Sequence, residues 1–213
     1  MYFPARFFIT GTGTGVGKTI VAAILLSGLK YHYWKPIQSG MEEETDTSVI
    51  QRLSGLSSSS FMAEAYCLPK AASPHISAAA AGVEIEFSHL NLPAGGSNIM
   101  VEGAGGLLVP INHNSLMIDL INHLQLPVIL VTKSGLGTIN HTLLSLEALQ
   151  KRHIPVLGIV MNGRKNAGNR RAIEEYGHTP VLAEIEPLAA LNSANLQKAF
   201  KKYFADRRWP DSR

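Results

Sequence analysis

A glycine-rich segment near the start of the chain separates a short apolar run from a helical pattern. The apolar run covers residues 7–10, the helical pattern covers residues 18–29, and the segment between them is Gly11-Thr12-Gly13-Thr14-Gly15-Val16-Gly17. Glycines let the backbone amides of such a turn point at phosphate oxygens, and the start of the following helix adds positive potential. Lys18 can then reach the outer phosphates, and the hydroxyl of Thr19 can bind magnesium. The segment therefore predicts a phosphate-binding loop between the first strand and the first helix.

The loop departs from the common phosphate-binding pattern at its first glycine. That pattern, G-x-x-x-x-G-K-[ST], requires glycine at position 12, where this chain has Thr12, and Gly11 lies one residue too early. The run Gly17-Lys18-Thr19 at a strand–helix junction still favours nucleotide binding over a chance glycine-rich turn. The predicted nucleotide-binding residues of the loop are Gly13, Thr14, Gly15, Val16, Gly17, Lys18, Thr19 and Ile20.

Strand-length apolar runs alternate with helical patterns along most of the chain. After the first strand and helix, the runs lie at residues 31–35, 98–102, 128–132, 156–161 and 180–183. Most are continuously apolar, which is typical of strands buried on both faces of a parallel sheet. Helices are predicted at residues 46–53 and 138–150, and loops with short helices at residues 55–96. The sequence therefore predicts one α/β domain over residues 1–213, with a doubly wound, mostly parallel sheet flanked by helices and a short basic tail at about 205–213.

Composition limits the cellular setting and the partners that we expect. A single cysteine, Cys67, excludes an internal disulfide and suits a reducing compartment. No apolar run has the length of a membrane span and the first residues lack the pattern of a secretory signal, so we expect a cytoplasmic protein with no membrane partner. The formal net charge is +3, but many basic residues lie after residue 197. A solvated helix end and tail account for them without a nucleic-acid partner.

Two charged residues end apolar strand patterns and should lie at the edge of the sheet where ligands bind. The carboxylate of Glu102 could hold magnesium or be an ordinary strand-end group. The ammonium of Lys35 could face an anionic intermediate or extend over the surface. Asp46 could bind magnesium or cap a helix, and the residues alone favour neither.

Four further segments follow the loop in an order that resembles the dethiobiotin synthetase family. They are Lys35-Pro36-Ile37-Gln38-Ser39-Gly40, Ser73-Pro74-His75, Val101-Glu102-Gly103-Ala104-Gly105-Gly106-Leu107 and Leu136-Gly137-Thr138-Ile139-Asn140-His141. With the loop, the resemblance spans residues 7 to about 162. It implies a P-loop fold, a homodimer, and ATP-driven closure of a cyclic urea on 7,8-diaminopelargonic acid with carbon dioxide or bicarbonate.

The resemblance also implies roles for individual residues. The implied magnesium ligands are Thr19, Asp46 and Glu102. The implied catalytic residues are Thr14, Lys18 and Lys35, and the implied substrate-binding residues are Lys35, Ser39, Gly103, Ala104, Gly105, Gly106 and Asn140. Asn140 would reach the carboxylate of substrate bound mainly by the other subunit, and Asn162 would read adenine. From spacing alone, residues 103–106 could be a plain tight turn and Asn140 a cap-region residue.

Two positions differ from the family, and other functions remain open. Gly15 stands where some relatives carry glutamate, and residues 181–187 match the second adenine-contacting loop only loosely. His75 could be structural or could face the substrate. A ParA/MinD-like positioning ATPase is the alternative, but such proteins usually carry a lysine early in the loop and an aspartate after a later strand, where this chain has Thr12 and Glu102. A glutamine-dependent amide synthase would need a further amidotransferase domain.

Overall fold

The computed structural model describes residues 3–41, 44–95 and 97–205. The strands in these ranges are β1 (Arg6–Gly11), β2 (His32–Trp34), β3 (Ile37–Ser39), β4 (Phe61–Met62), β5 (Tyr66–Leu68), β6 (Ile99–Glu102), β7 (Val128–Lys133), β8 (Val156–Asn162) and β9 (Val181–Ile185). The α-helices are α1 (Lys18–Leu29), α2 (Asp46–Ser54), α3 (Pro74–Ala80), α4 (Met117–Leu124), α5 (Thr138–Lys151), α6 (Ala167–Gly177) and α7 (Ser193–Tyr203).

Seven of these strands form a central parallel sheet in the order β4-β2-β6-β1-β7-β8-β9. The strand order reverses at β1, which pairs with β6 on one side and with β7 on the other. Ligands of open α/β sheets bind beyond the carboxyl ends of the strands at such a reversal. The glycine-rich loop therefore leaves β1 at the position in this fold that favours ligand binding.

Helices cover both faces of the sheet. The side chains of each central strand point alternately to the two faces, and those on both faces are apolar, so both faces need a covering layer. On one face, Phe7 and Ile9 of β1 pack with residues of α1, α2 and α7. On the other, Phe8 packs with residues of α3 and α4, and Leu130 of β7 lies near α5 and α6. Burial of β1 on both faces explains its continuously apolar sequence and holds the end of the strand rigidly.

The predicted fold class is confirmed, and so are the predicted strands and helices to within a few residues. The prediction for residues 55–96 was incomplete, because this segment also contains β4 and β5. β4 extends the central sheet beside β2, and β5 pairs with β3 in a separate two-stranded sheet. Strands of two or three residues carry no periodicity of their own and depend on the partner strand for their hydrogen bonds.

Two sequence predictions, on the basic tail and on membrane spans, can be compared only with the described residues. The basic tail predicted at about 205–213 lies outside the described residues after Ala205. None of the helices described in the structure combines the length and the apolar character needed to cross a membrane.

Candidate functional site

The glycine-rich loop turns sharply between β1 and α1, and one of its glycines has a backbone conformation and a close neighbour that disfavour any side chain. Gly17 has a φ of 98°, and a Cβ atom there would lie 1.9 Å from Nδ2 of Asn162. That amide donates a hydrogen bond to the carbonyl of Val16 at 3.0 Å, so the end of β8 rests directly on the loop. Lys18 folds back over the loop, with its ammonium 3.2 Å from the carbonyl oxygen of Gly13.

The unusual first half of the loop has a packing explanation. A Cβ atom on Gly11 would lie 2.6 Å from Cγ2 of Val16, so glycine is required at this earlier position. Thr12, which occupies the usual glycine position, donates a hydrogen bond to the hydroxyl of Thr132 on β7 at 3.3 Å. The variant loop is therefore tied to the neighbouring strand through its threonine.

Four polar side chains from different elements meet at the carboxyl edge of the sheet. The hydroxyl of Thr19 donates to Oδ1 of Asp46 at 2.7 Å and lies 3.3 Å from Oε1 of Glu102. The ammonium of Lys35 lies 2.5 Å from Oδ2 of Asp46 and 3.6 Å from Oε1 of Glu102. Asp46 is the first residue of α2, but Thr45 is the cap, because its side chain accepts the amide of Ser48. The carboxylate of Asp46 is thus directed to the cluster.

Burial and mutual charge set the protonation of this cluster. Burial alone would lower the pKa of Lys35, but the charges of Glu102 and Asp46 outweigh it and raise that pKa. Burial raises the pKa of Glu102 against the opposing effect of Lys35. The pKa of Asp46 is lowered, because Lys35 and the Thr19 hydroxyl together outweigh its partial burial. The pKa of Lys18 is lowered by burial, with Glu102 opposing the change. The cluster thus holds a cationic Lys35 between two acidic side chains.

Tyr33 is a member of this cluster that the sequence reasoning missed. Its hydroxyl donates a hydrogen bond to Oε2 of Glu102 at 3.2 Å, and both side chains are fully buried. Burial, followed by the negative charge of Glu102, raises the pKa of Tyr33 well above its usual value. In the sequence Tyr33 is one more aromatic residue in an apolar strand, and only its hydroxyl distinguishes it from a core phenylalanine.

A cavity of about 670 Å³ opens above this cluster. Its lining includes Thr14, Gly15, Gly17, Lys18, Thr19, Ile20, Lys35, Ser39, Asp46, Glu102, Ala104 and Gly105. The hydroxyl of Ser39 is buried and has no hydrogen-bond partner among the described residues, and Ser39 belongs to the lining of the cavity. Gly103 is placed differently, because its amide already donates to the carbonyl of Ile9 at 3.0 Å. Gly106 packs against the backbone of Gly13 and lines a second, smaller cavity.

The remaining predicted residues lie away from the carboxylates. Asn140 is exposed in the first turn of α5, and the structure does not bring it to the Lys35 cluster of the same chain. Asn162 lies over the phosphate loop, as described above. His75 hydrogen-bonds to the hydroxyl of Ser73 at 3.0 Å and lines a separate cavity of about 260 Å³.

The oxygen atoms of Thr19, Asp46 and Glu102 fit a magnesium ion. They are hard ligands that line the same cavity, and the hydroxyl of Thr19 lies within hydrogen-bond distance of one oxygen of each carboxylate. Among the described residues there is no group of three or more His, Cys, Asp or Glu side chains that could hold a metal ion. Magnesium bound to a nucleotide needs fewer protein ligands, since water and phosphate oxygens supply the rest.

A glycine-rich loop after the central strand, with a lysine and a threonine opening the next helix and a carboxylate on the adjacent strand, defines a P-loop nucleotide-binding protein. A family model described as an AAA domain matches residues 5–195. The ATP-dependent dethiobiotin synthetase of Rhodopseudomonas palustris strain TIE-1 is 45% identical over 203 residues, covering 95% of this chain and 96% of the relative. That of Paramagnetospirillum magneticum is 49% identical over 189 residues, covering 89% and 91%. The chain belongs to the ATP-dependent dethiobiotin synthetase family.

Solved structures show a weaker likeness. A ParA family ATPase from Chlorobium tepidum TLS superposes with a TM-score of 0.46 at 14% identity, covering 93% of this chain and 89% of that chain. A similarity at this level does not distinguish one function from another.

Proposed function

We propose that this chain converts 7,8-diaminopelargonic acid and carbon dioxide to dethiobiotin at the expense of ATP, as a cyclo-ligase of biotin biosynthesis. The observation that carries the proposal is the buried Lys35 ammonium beside the phosphate-loop Lys18, on the wall of a cavity that the loop also lines. Two cations on this wall would stabilise the negative charge of a carbamate and of a transferring phosphoryl group. The names of the relatives support the same reaction.

The chemistry proceeds in three steps. One amine of the substrate adds to carbon dioxide and loses a proton, which gives a carbamate. A carbamate oxygen then attacks the γ-phosphorus of ATP, and ADP leaves to give a carbamic-phosphoric anhydride. The second amine attacks the carbonyl carbon and loses a proton, phosphate leaves, and the five-membered urea closes. Each step before ring closure increases or moves negative charge that preorganised cations stabilise.

The residues of the cluster have separate tasks in this proposal. Thr19, Asp46 and Glu102 would hold Mg²⁺, which supplies charge neutralisation on the ATP phosphates when bound. Lys18 would bind the outer phosphates, and Lys35 would stabilise the carbamate oxygen and the moving phosphoryl group. Thr14 lines the cavity beside the loop, where its hydroxyl would contact the γ-phosphate.

Substrate and nucleotide contacts complete the proposed site. The unpaired hydroxyl of Ser39 would accept or donate a hydrogen bond to the reacting end of the substrate. In the turn formed by residues 103–106, Ala104 and Gly105 line the cavity and would contact the substrate. Asn162 lies beside the loop and would read the adenine base.

We further propose a cytoplasmic homodimer that has no nucleic-acid or membrane partner. Three large apolar side chains are exposed beside the start of α5, namely Leu108, Leu136 and Leu144. Leu108 and Leu144 line the smaller cavity of about 290 Å³ that also reaches Thr14 of the loop. A second subunit would cover these side chains and bring its own chain to the edge of the site.

The test is phosphate release from ATP measured with and without diaminopelargonic acid and bicarbonate. We expect turnover only when both are present, together with formation of dethiobiotin. Equal turnover without the diamine would contradict the proposal, and turnover stimulated by DNA or lipid would favour a positioning ATPase instead.

A further inference from the structure

Tyr33 lies in the middle of β2, on the strand next to the one that ends in Glu102. Its hydroxyl reaches across to Oε2 of Glu102 at 3.2 Å, and both residues are fully buried. On the other side, the ring of Tyr33 packs against Phe61 of β4, with centroids 5.9 Å apart. Contacts on both sides hold the hydroxyl in one place.

The two oxygens of Glu102 consequently have different surroundings. Oε1 lies 3.3 Å from the hydroxyl of Thr19 and 3.6 Å from the ammonium of Lys35, so it faces the cavity. Oε2 faces the protein interior and is held by Tyr33. The terminal torsion of a glutamate is soft, so the carboxyl plane needs a partner to define it.

The hydroxyl is not needed to fill space. A phenylalanine would occupy nearly the same volume, and a buried hydroxyl costs stability unless it is hydrogen-bonded. The hydroxyl of Tyr33 is satisfied by the carboxylate of Glu102. The effect of the Tyr33 hydroxyl is therefore on the geometry of that carboxylate.

We propose that Tyr33 is a positioning residue, whose hydroxyl holds the carboxylate of Glu102 so that Oε1 is presented to the magnesium ion of bound nucleotide. This inference rests on the magnesium site of the proposed function. Removal of a partner that orients a metal ligand in this way typically lowers metal affinity or activity about 10- to 100-fold.

The experiment compares the parent protein with Tyr33→Phe, which removes one oxygen atom. A non-hydrolysable ATP analogue is titrated calorimetrically in the presence of Mn²⁺ and again in EDTA, and the melting temperature is recorded. We expect the gain in analogue affinity from Mn²⁺ to fall about tenfold in the variant, while the affinity in EDTA stays within about twofold. In steady-state assays the Mg²⁺ concentration for half-maximal activity should rise by a similar factor, with kcat at saturating Mg²⁺ within about threefold.

Tyr31→Phe is the matched control, because it removes a hydroxyl just before the same strand. That hydroxyl lies 3.5 Å from the carbonyl of Phe3, away from the carboxylates. Its metal dependence should equal that of the parent. An unchanged metal dependence in Tyr33→Phe would overturn the positioning role even if the parent binds Mn²⁺ normally. If the affinity of the parent protein for the analogue is the same in Mn²⁺ and in EDTA, the magnesium site is overturned, and this inference with it.

Discussion

At the scale of single residues, Lys35 is the side chain whose chemistry depends most on its surroundings. Its exposed fraction is only 3%, and an isolated lysine at such a depth would tend to lose its proton. Glu102 and Asp46 reverse that tendency and raise its pKa. Removing one partner from a buried ion pair is costly, so the three side chains act as a unit.

Replacement of Lys35 by glutamine should separate catalysis from nucleotide binding. Lys35→Gln keeps most of the stem but deletes the charge that faces the proposed carbamate and phosphoryl group. We expect turnover to fall about 100-fold or more, equivalent to ~3 kcal/mol in the barrier, as for other preorganised charge contacts. Affinity for an ATP analogue should change far less, because Lys18 and the loop amides bind the phosphates independently.

Steady-state turnover and a titration with the analogue check this expectation, and melting curves establish that the variant is folded. Lys151→Gln, at the exposed end of α5, is the control and should behave like the parent. A Lys35→Gln enzyme with turnover within about threefold of the parent would show that Lys35 does not stabilise the transition state.

At the scale of elements, a network of threonine hydroxyls connects the phosphate loop to the start of α5. Thr132 on β7 receives hydrogen bonds from Thr12 of the loop and from Thr142 of α5, at 3.3 and 3.0 Å. It also hydrogen-bonds to Thr138, whose hydroxyl donates to the carbonyl of Lys133. Because Thr132, Thr138 and Thr142 are buried, this network fixes the position of α5 relative to the loop.

Asn140 lies in the first turn of α5, and Asn140→Ala should weaken binding of the diamine more than binding of ATP. The reason is that an exposed residue at a helix start can reach a carboxylate on substrate held by another subunit, where the helix dipole also favours an anion. Loss of such a contact typically raises the KM for the diamine about tenfold, and the KM for ATP should stay within about twofold.

Initial rates at varied diamine and at varied ATP measure the two effects. Gln150→Ala, exposed at the opposite end of α5, serves as the control. An Asn140→Ala enzyme with equal changes in both KM values would contradict the proposed contact with the substrate carboxylate.

At the scale of the whole molecule, one region of the described surface carries several exposed apolar side chains. Leu136 is fully exposed, and Leu108 and Leu144 are more than half exposed. Leu108 and Leu144 line the smaller cavity beside the loop, and Leu136 precedes the helix that carries Leu144. Single exposed apolar residues are common, but a group of them next to a functional cavity favours a contact with another subunit.

A charge placed in that group should separate the proposed dimer. Leu144→Glu puts a carboxylate where an apolar contact is expected, so light scattering should report a monomer with reduced activity. Leu191→Glu is the control, since Leu191 is similarly exposed, at 51% against 56% for Leu144, but lies near α7. A parent protein that is monomeric and fully active would refute the dimer and the interface role of Asn140.

Much of the fold was predictable because its signals are local. Continuous apolar runs and the helical pattern at residues 18–29 identified the sheet and α1, which the structure has with the same bounds, Lys18–Leu29. The small strands β3, β4 and β5 were not predicted. Each has two or three residues, and its hydrogen bonds come from a partner strand rather than from its own pattern.

By itself, the sequence determined the phosphate loop, the alternation of strands and helices, and the residue types at the carboxyl edge of the sheet. These follow from turn chemistry and burial patterns within a few residues of each other. Only the tertiary structure decided the strand order, the pairing of Lys35 with Glu102 and Asp46, and the contact of Tyr33 with Glu102. The last pair is separated by 69 positions in the chain. Such contacts arise from packing between β2 and β6, which no local pattern encodes.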